Sequence, residues 1–457
     1  MLHQGKVINP TFHIDAFGCP SSQYEGEAVR SLLLKNGFQE AIHSTPDVYL
    51  INTCVVTEAA VRKVRKAARQ AKRLYPTTTI VLVGCYPQVF SREISTYHPE
   101  TDIILGNEGR SKLPALIKER LEKKHTNMKN LLPWNMVNSK APCAPLHLLT
   151  EDMDYTRLRP VLKIQEGCHQ DCSYCIVTQA RGKPRSLSVK ATLTLAENFL
   201  EKGYREIILA GTNLGLYGYD LQNIQGHPPL IELLKLLDKL PYRYRIRLSY
   251  LEPGSITEEL LHAMGQLEKV CPYLYLPLQS ASDKILHKMD RGYNTQKLDH
   301  LIEAARKYMP PVNIQADLIV GFPGETEDDH VLTMQQVQQW ELSGLHIFSF
   351  SPRPQTKAAS WKKEEVPPET QKIRYREMQE LNRKLSWQYH LKMCDKNLRV
   401  LVEKNKHGQA EGFSDHNIWV NFPNHDNIRG CFVDVKPLYC TPKGIEGKML
   451  NSTKFLV

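Results

Sequence analysis

The sequence predicts an α/β chain in three parts: an N-terminal parallel-sheet α/β domain, a central partial barrel of strand–helix units, and a small C-terminal all-β barrel. Three observations carry this expectation. Apolar runs that read as strands alternate with amphipathic helical runs from Phe12 to about Ser351; those strands finish on polar or cysteine-bearing corners; and beyond Asn397 the pattern changes to short strands separated by turn residues. The domains are expected over residues 1–125, 156–394 and 395–457, with a linker over 126–155. A chain of 457 residues, 41% hydrophobic and 24% charged, has the core-forming capacity this requires.

The opening MLHQGKVINPTFHIDAFG has no basic start followed by an apolar stretch, and no run approaches the roughly 18 apolar residues of a membrane span. A cytoplasmic protein with no membrane contact is therefore expected. Its eleven cysteines should be reduced thiols, with clustered ones serving as metal ligands or catalysts rather than disulfides. The net charge of +10 suits a polyanionic partner.

Within the N-terminal domain a single pattern recurs three times. FHIDAFGC ends at Cys19 and precedes a helical stretch from about Ser22 to Asn36, with Val29, Leu32 and Leu33 on one face and Gly37 as its stop. VYLINTC ends at Cys54 before a helix from about Thr57 to Tyr75, and IVLVGC ends at Cys85. In parallel βαβ units all strand C-termini share one sheet edge, where open α/β sheets bind ligands, so Cys19, Cys54 and Cys85 should converge. The bland alternative is three separate core thiols. Three thiolates without a fourth leave a metal coordination position open, which suits chemistry better than scaffolding.

At Glu166 the chain reads EGCHQDCSYCIVTQARG, placing Cys168, Cys172 and Cys175 in C-x3-C-x2-C spacing after the strand VLKIQ. Such a loop can hold three irons of an iron–sulfur cube and leave the fourth to an external ligand. A zinc site with His169 as fourth ligand is the rival, weakened because a histidine beside a ligand cysteine cannot easily turn to the same ion. Six strand-like runs follow one another, VLKIQ, REIILAG, YRIRLSY, YLYLPL, NIQADLIVGF and LHIFSF, and suggest a partial (β/α)6 barrel of TIM-like design. Their corners should share the C-terminal rim. There Asn213, Glu252, Gln279 and Ser280, with glycine amides, are candidates to grip an adenosine ligand carrying an amino-acid tail; ordinary turn chemistry is the alternative for each.

The helix after Cys54 carries Arg62, Lys63, Arg65, Lys66, Arg69, Lys72 and Arg73 against Glu58 alone, which reads either as a solvated face or as an RNA contact. A second basic helix, about Pro368 to Met393, carries Arg374, Arg376, Arg383 and Lys384 with Trp387 and Tyr389, and reads either as a contact or as a packing link between domains. LRVLVEK, HGQAEGFSDHN, IWVNFPN and GCFVDVKPLY then suggest a small β-barrel, a frequent RNA-binding format. Cys143, in the proline-bearing linker, and Cys271, Cys394, Cys431 and Cys440 have no partners at ligand spacing and read as structural.

With these motifs the chain resembles the radical S-adenosylmethionine superfamily and, within it, the methylthiotransferases, over almost its whole length. RLSYLEP, PLQSASDKILHKMDRGY and ADLIVGFPGETEDD look most like the branch that modifies N6-threonylcarbamoyladenosine beside the anticodon of transfer RNA. The resemblance implies two 4Fe-4S clusters: one on Cys168, Cys172 and Cys175 that binds S-adenosylmethionine through its open iron, and an auxiliary one on Cys19, Cys54 and Cys85. It also implies Tyr174 beside the adenine of the cofactor and a TRAM-like C-terminal barrel. Transfer RNA, a one-electron reductant such as a flavodoxin or ferredoxin, and an unidentified sulfur donor are the implied partners. Three positions depart from the family pattern: Ser22 stands where asparagine is usual, Ala281 where PLQSGSD is usual, and Thr178 where proline is common.

The implied chemistry replaces a hydrogen on carbon 2 of an adenine ring, a C–H bond beyond side-chain acids and bases, so a cofactor must carry it. The alternatives are methylthiolation of N6-isopentenyladenosine in transfer RNA or of a ribosomal protein side chain and, in another class, a non-catalytic metal-bound RNA-binding protein.

Overall fold

The structure is a computed structural model that describes residues 9–42, 44–125, 137, 153–221 and 228–450, with the backbone of residues 2–3, 6–7 and 134–135. In the N-terminal domain, strands Thr11–Ala16, Val48–Thr53, Thr79–Gly84 and Ile103–Leu105 pair in parallel, flanked by the two-residue edges Gln39–Glu40 and Trp134–Asn135. Val48–Thr53 and Thr79–Gly84 are apolar nearly throughout because helices cover both faces. On one face lie Val29 and Leu33 of helix Pro20–Lys35 with Leu113, Ile117 and Leu121 of helix Leu113–His125. On the other, helix Glu58–Leu74 buries Val61, Val64, Ala68 and Ala71, a 3-4-3 spacing that leaves its cations outward. Thr57 caps that helix by accepting from the Ala60 amide.

Much of the expected linker, including Cys143, lies outside the described residues. Of its described residues, Trp134–Asn135 belongs to the N-terminal sheet, while Met153 and Tyr155 are buried in the central core. All six expected central strands are present: Val161–Lys163, Glu206–Ala210, Arg245–Leu248, Tyr273–Gln279, Asn313–Val320 and Gly344–Ser349. They form two parallel three-stranded sheets, with isolated bridges Ile246–Val270 and Tyr250–Tyr275 where the two meet. The wall stays open between its first and last strands. The N-terminal domain grips both margins of that opening: Glu25 meets Lys163 on the first strand, and Glu58 meets Arg353 beyond the last.

The C-terminal domain is a closed five-stranded barrel of Leu398–Lys406, Gln409–Ser414, Trp419–Pro423, Phe432–Thr441 and Gly444–Met449. The last of these, GIEGKM, escaped the sequence reading because two glycines interrupt its apolar pattern. This barrel docks where the central strands begin, away from the cysteine rim. Arg245 donates to Phe413 O (2.9 Å) and Asp415 (2.7 Å), and Arg247 to Ser414 O (3.1 Å). Both arginines also bond the buried Glu206 (2.7 and 2.8 Å). Burial pushes the Glu206 carboxyl up, but the two guanidinium groups outweigh it and hold the carboxyl well below its usual range. Glu206→Gln is expected to cost about 3–5 kcal/mol in denaturant unfolding, because it leaves two buried cations short of a counter-charge.

Of the two readings of the second basic helix the packing link holds, and one cysteine expectation changes. Arg374 on helix Pro368–Met393 is buried against Glu325 (2.7 Å) and Glu327 (3.2 Å), so it is a packing residue. Met378, Leu381 and Leu385 of that helix enter the central core, and Tyr389 and Met393 the C-terminal core, so it links the two domains. Cys394 and Cys440, expected as unpaired thiols, form a disulfide with Cα atoms 6.9 Å apart. They lie 46 residues apart in sequence, and the packing of the helix on strand Phe432–Thr441 brings them together. No helix among the described residues is long and apolar enough to cross a membrane.

Candidate active site

Because the first-domain strands are parallel, their C-terminal ends deliver three free thiols to one edge: Cys19 at the start of helix Pro20–Lys35, Cys54 after Val48–Thr53, and Cys85 after Thr79–Gly84. Gly18 makes the approach possible. Its backbone is left-handed (φ +117°), and a Cβ there would fall 2.9 Å from the Cys54 Cβ and 3.1 Å from its sulfur. Burial pushes the Cys54 thiol up to about 12, and the neighbouring Cys19 and Cys85 thiols add to the rise. Burial likewise raises Cys85, against the pull of the Arg181 guanidinium.

Ser22, a departure from the family pattern, is bound into this edge. Its hydroxyl donates to Phe17 O (2.7 Å) and accepts from the Asn52 amide (3.0 Å), tying the Cys19 loop to the strand that carries Cys54. Asn107 places its amide nitrogen 3.7 Å from the Cys85 sulfur while accepting from Arg110 (2.8 Å).

The second trio lies on the loop after Val161–Lys163. Gly167 (φ +80°) permits the hairpin closure: a Cβ there would lie 2.0 Å from Lys183 O. The Cys168 amide donates to Gly182 O (3.0 Å) and the Cys175 amide to Cys172 O (3.0 Å). Arg291, which the sequence reading did not single out, is the hub beneath this loop. It donates to Cys172 Sγ (3.5 Å), to the Tyr174 hydroxyl (3.2 Å) and to both Glu252 oxygens (2.7 and 2.6 Å). Burial raises the Cys172 thiol and Arg291 opposes it; desolvation, with the Cys172 charge adding to it, pushes the partly exposed Cys175 up to about 12.

Do these thiols fit a cluster? Buried neutral thiols ionise readily only against a cationic partner, so metal binding and deprotonation would go together. No three His, Cys, Asp or Glu side chains among the described residues stand close enough to share a single ion. Ligands to different irons of one cube need not do so. His169, the fourth ligand of the zinc alternative, turns its ring to Tyr219 instead, with centroids 5.3 Å apart.

The rim candidates divide. Glu252 is committed to Arg291, and Asn213 caps a turn at Gly215 N and reaches Ser255. Gln279, at left-handed φ +69°, ends its strand and turns the chain outward. Ser280 follows that turn: its hydroxyl is buried beside Thr333 of helix Glu327–Gln339 (3.5 Å) and accepts from the Ser282 amide (3.2 Å). Ala281, the second departure, is buried there too, its amide donating to Thr333 (3.3 Å). Tyr174 packs edge-on against Phe322, with centroids 6.2 Å apart, and is partly buried there.

Between the trios lies a buried charge cluster. Glu25 accepts from Arg110 (3.0 Å), Lys163 (2.9 Å) and Arg181 (2.7 Å), while Glu166 accepts from Arg181, from Lys163 (3.2 Å) and from Arg185 (2.7 Å). Lys163 and Glu166 within VLKIQEG were its sequence signal, since charges inside an otherwise apolar strand need partners. Burial pushes the Tyr250 hydroxyl up, with Cys19 and Asp317 adding to the rise, and the ring packs edge-on against Tyr275 (4.9 Å). The Tyr275 hydroxyl donates to Asp317, and the His346 ring meets Tyr275 at 5.1 Å. Burial pushes Asp317 up to about 7 despite that hydrogen bond. A carboxyl raised in the folded state binds more protons there, so stability falls as pH climbs through the raised value. Relative to Asp317→Asn, the wild type is expected to lose stability between about pH 4 and 7, read from thermal melts across that range.

Comparison with known proteins accords with this architecture. Residues 162–337 match the radical SAM superfamily, and residues 11–106 match Uncharacterized protein family UPF0004. The threonylcarbamoyladenosine tRNA methylthiotransferase MtaB of Aquifex aeolicus is 33% identical over 88% of this chain and 95% of its own length. That of Bacillus subtilis is 31% identical over 93% of each. A tRNA-2-methylthio-N(6)-dimethylallyladenosine synthase of Symbiobacterium thermophilum is 30% identical over 97% of this chain and 95% of its own. Among solved structures, the radical S-adenosylmethionine methyltransferase TsrM of Kitasatospora setae superposes with a TM-score of 0.54 at 12% identity, covering 76% of this chain and 74% of that one, a likeness of fold. The chain therefore belongs to the radical S-adenosylmethionine superfamily and, within it, to the methylthiotransferase family of transferases.

Proposed function

We propose that the protein methylthiolates carbon 2 of N6-threonylcarbamoyladenosine beside the anticodon of transfer RNA, using one 4Fe-4S cluster on each cysteine trio. The observation that carries the reading is the pair of three-thiol groups, one on each domain, joined through the buried Glu25–Glu166 charge cluster. When bound, a reduced cluster on Cys168, Cys172 and Cys175 supplies the electron that cleaves S-adenosylmethionine to a carbon radical, and a second on Cys19, Cys54 and Cys85 supplies a place for the transferred sulfur.

The chain's own side chains do the positioning. Arg291 fixes Cys172, Tyr174 and Glu252 in one hydrogen-bonded group, and the Glu25 cluster locks the first trio against the second loop. The Tyr250–Tyr275 pair offers flat aromatic faces against which a base could lie, and the Glu58–Arg353 pair holds the N-terminal domain against the barrel. On helix Glu58–Leu74, Arg65 turns to Tyr86 and Glu58, whereas Arg62, Lys63, Lys66, Arg69 and Arg73 stay exposed for phosphates.

The test is mass spectrometry of transfer RNA nucleosides from cells with and without the gene. Loss of the methylthio derivative of threonylcarbamoyladenosine is expected. Loss of the isopentenyladenosine derivative alone, or unchanged methylthio-nucleosides, would overturn the substrate assignment.

A further inference from the structure

A cavity of about 660 Å³ opens on the N-terminal domain, between strand Thr11–Ala16 and the basic helix Glu58–Leu74. It exists because the neighbouring edge strand is so short. Gln39–Glu40 pairs only with Thr11 and Phe12, so the strand's outer margin beyond Phe12 is uncovered by any described ladder. Ala41, Ile42 and Ser44 line a third side, and the two main walls differ in chemistry. On the sheet side, the His13 ring lies over Tyr49 at 4.9 Å with planes 39° apart. The Tyr49 hydroxyl donates to Asp15 (2.5 Å), and His13 Nε2 lies 3.5 Å from the other Asp15 oxygen. On the helix side, Lys63 and Lys66 are exposed at the mouth. The floor reaches Phe17, two residues before Cys19.

An occupant must offer a flat ring for the His13–Tyr49 pair, a donor for the Asp15 carboxylate and an anion for the two lysines. A nucleotide meets all three requirements, and the volume lies within the range of small-ligand sites. Stacking and phosphate contact are also how single-stranded RNA is held without reading the target base. We infer that this groove is a nucleotide-binding subsite that takes one base and phosphate of the substrate RNA other than the modified adenosine. The inference rests on the transfer RNA reading above. It adds a second anchoring point, on the side of the sheet edge that carries Cys19.

The test uses the full-length protein and an anticodon stem-loop RNA with 2-aminopurine placed in turn at each loop position outside the target. Wild-type protein is expected to bind and to change the fluorescence at one such position. Tyr49→Leu should weaken binding roughly tenfold and abolish that change. Lys66→Ala, an exposed helix position whose folding is not at stake, should weaken binding severalfold with a shallower salt dependence. In parallel, 5′-AMP, 5′-GMP, 5′-CMP and 5′-UMP are titrated against wild type and Tyr49→Leu. Unchanged RNA affinity and fluorescence in both variants, beside normal wild-type binding, would overturn the subsite and leave the transfer RNA reading standing. Saturable Tyr49-dependent binding of a free nucleotide with RNA affinity untouched would assign the groove to a metabolite and likewise overturn it. Failure of the wild type itself to bind the RNA would overturn both.

Discussion

Cys172→Ala is expected to abolish reductive cleavage of S-adenosylmethionine, while Cys54→Ala should retain cleavage and lose methylthiolation. The asymmetry follows from where the two thiols sit. Cys172 lies on the central barrel's rim loop, 3.5 Å from Arg291, within the match to the radical SAM superfamily. Removing it would withdraw one of the three thiols proposed to hold a cluster on that loop. Cys54 lies on the other domain, beneath Gly18 and at the end of strand Val48–Thr53. Both thiols are small and buried, and each substitution removes a sulfur without inserting bulk, so the folds should survive. Release of 5′-deoxyadenosine and formation of the methylthio-nucleoside, measured on the same anaerobic preparations, separate the two functions. Equal loss of both activities in folded Cys54→Ala protein would contradict the division of labour.

The second large effect is expected from Glu25→Gln. Glu25 is fully buried and balances Arg110, Lys163 and Arg181 across the contact between the first domain and the barrel. Burial pushes its carboxyl up, but the three cations outweigh that and hold it well below the usual 4.5. Without it, Glu166 alone would face Lys163, Arg181 and Arg185. A loss of about 3–5 kcal/mol is expected, because breaking a buried network leaves charges uncompensated. The sign with pH is fixed as well. A depressed folded-state value gives stability that is fully present above the unfolded carboxylate value and fades as pH falls toward the folded one. The wild-type advantage over Glu25→Gln should therefore be largest near neutrality and shrink below about pH 4.5, as read from urea unfolding at several pH values.

Much of this was legible in the sequence because strand ends in parallel sheets share an edge. Cys54 in VYLINTC was readable as a member of a set only when Cys19 and Cys85 were found at equivalent strand ends, and the structure brings those ends together. All six central strands were visible as apolar runs of the right length. Local pattern could not reveal partners set by long-range packing. Arg291 lies 119 residues from Cys172, and Glu25 138 residues from Lys163. The Tyr250–Tyr275–Asp317 wall was hidden for a related reason: its members sit on three different strands or corners, each of which read as ordinary barrel sequence. Ser280 shows how little a corner tells of side-chain direction: it follows the left-handed turn at Gln279, and its hydroxyl lies beside Thr333.

The most direct test of the central claim, that two separate cysteine trios each hold a cluster, is the iron content of anaerobically reconstituted protein with its Mössbauer spectrum. About eight irons per chain are expected in the wild type and about four in each of Cys54→Ala and Cys172→Ala, with cubane signatures throughout, as two independent 4Fe-4S sites require. About four irons in the wild type, or loss of all iron from either variant, would contradict it.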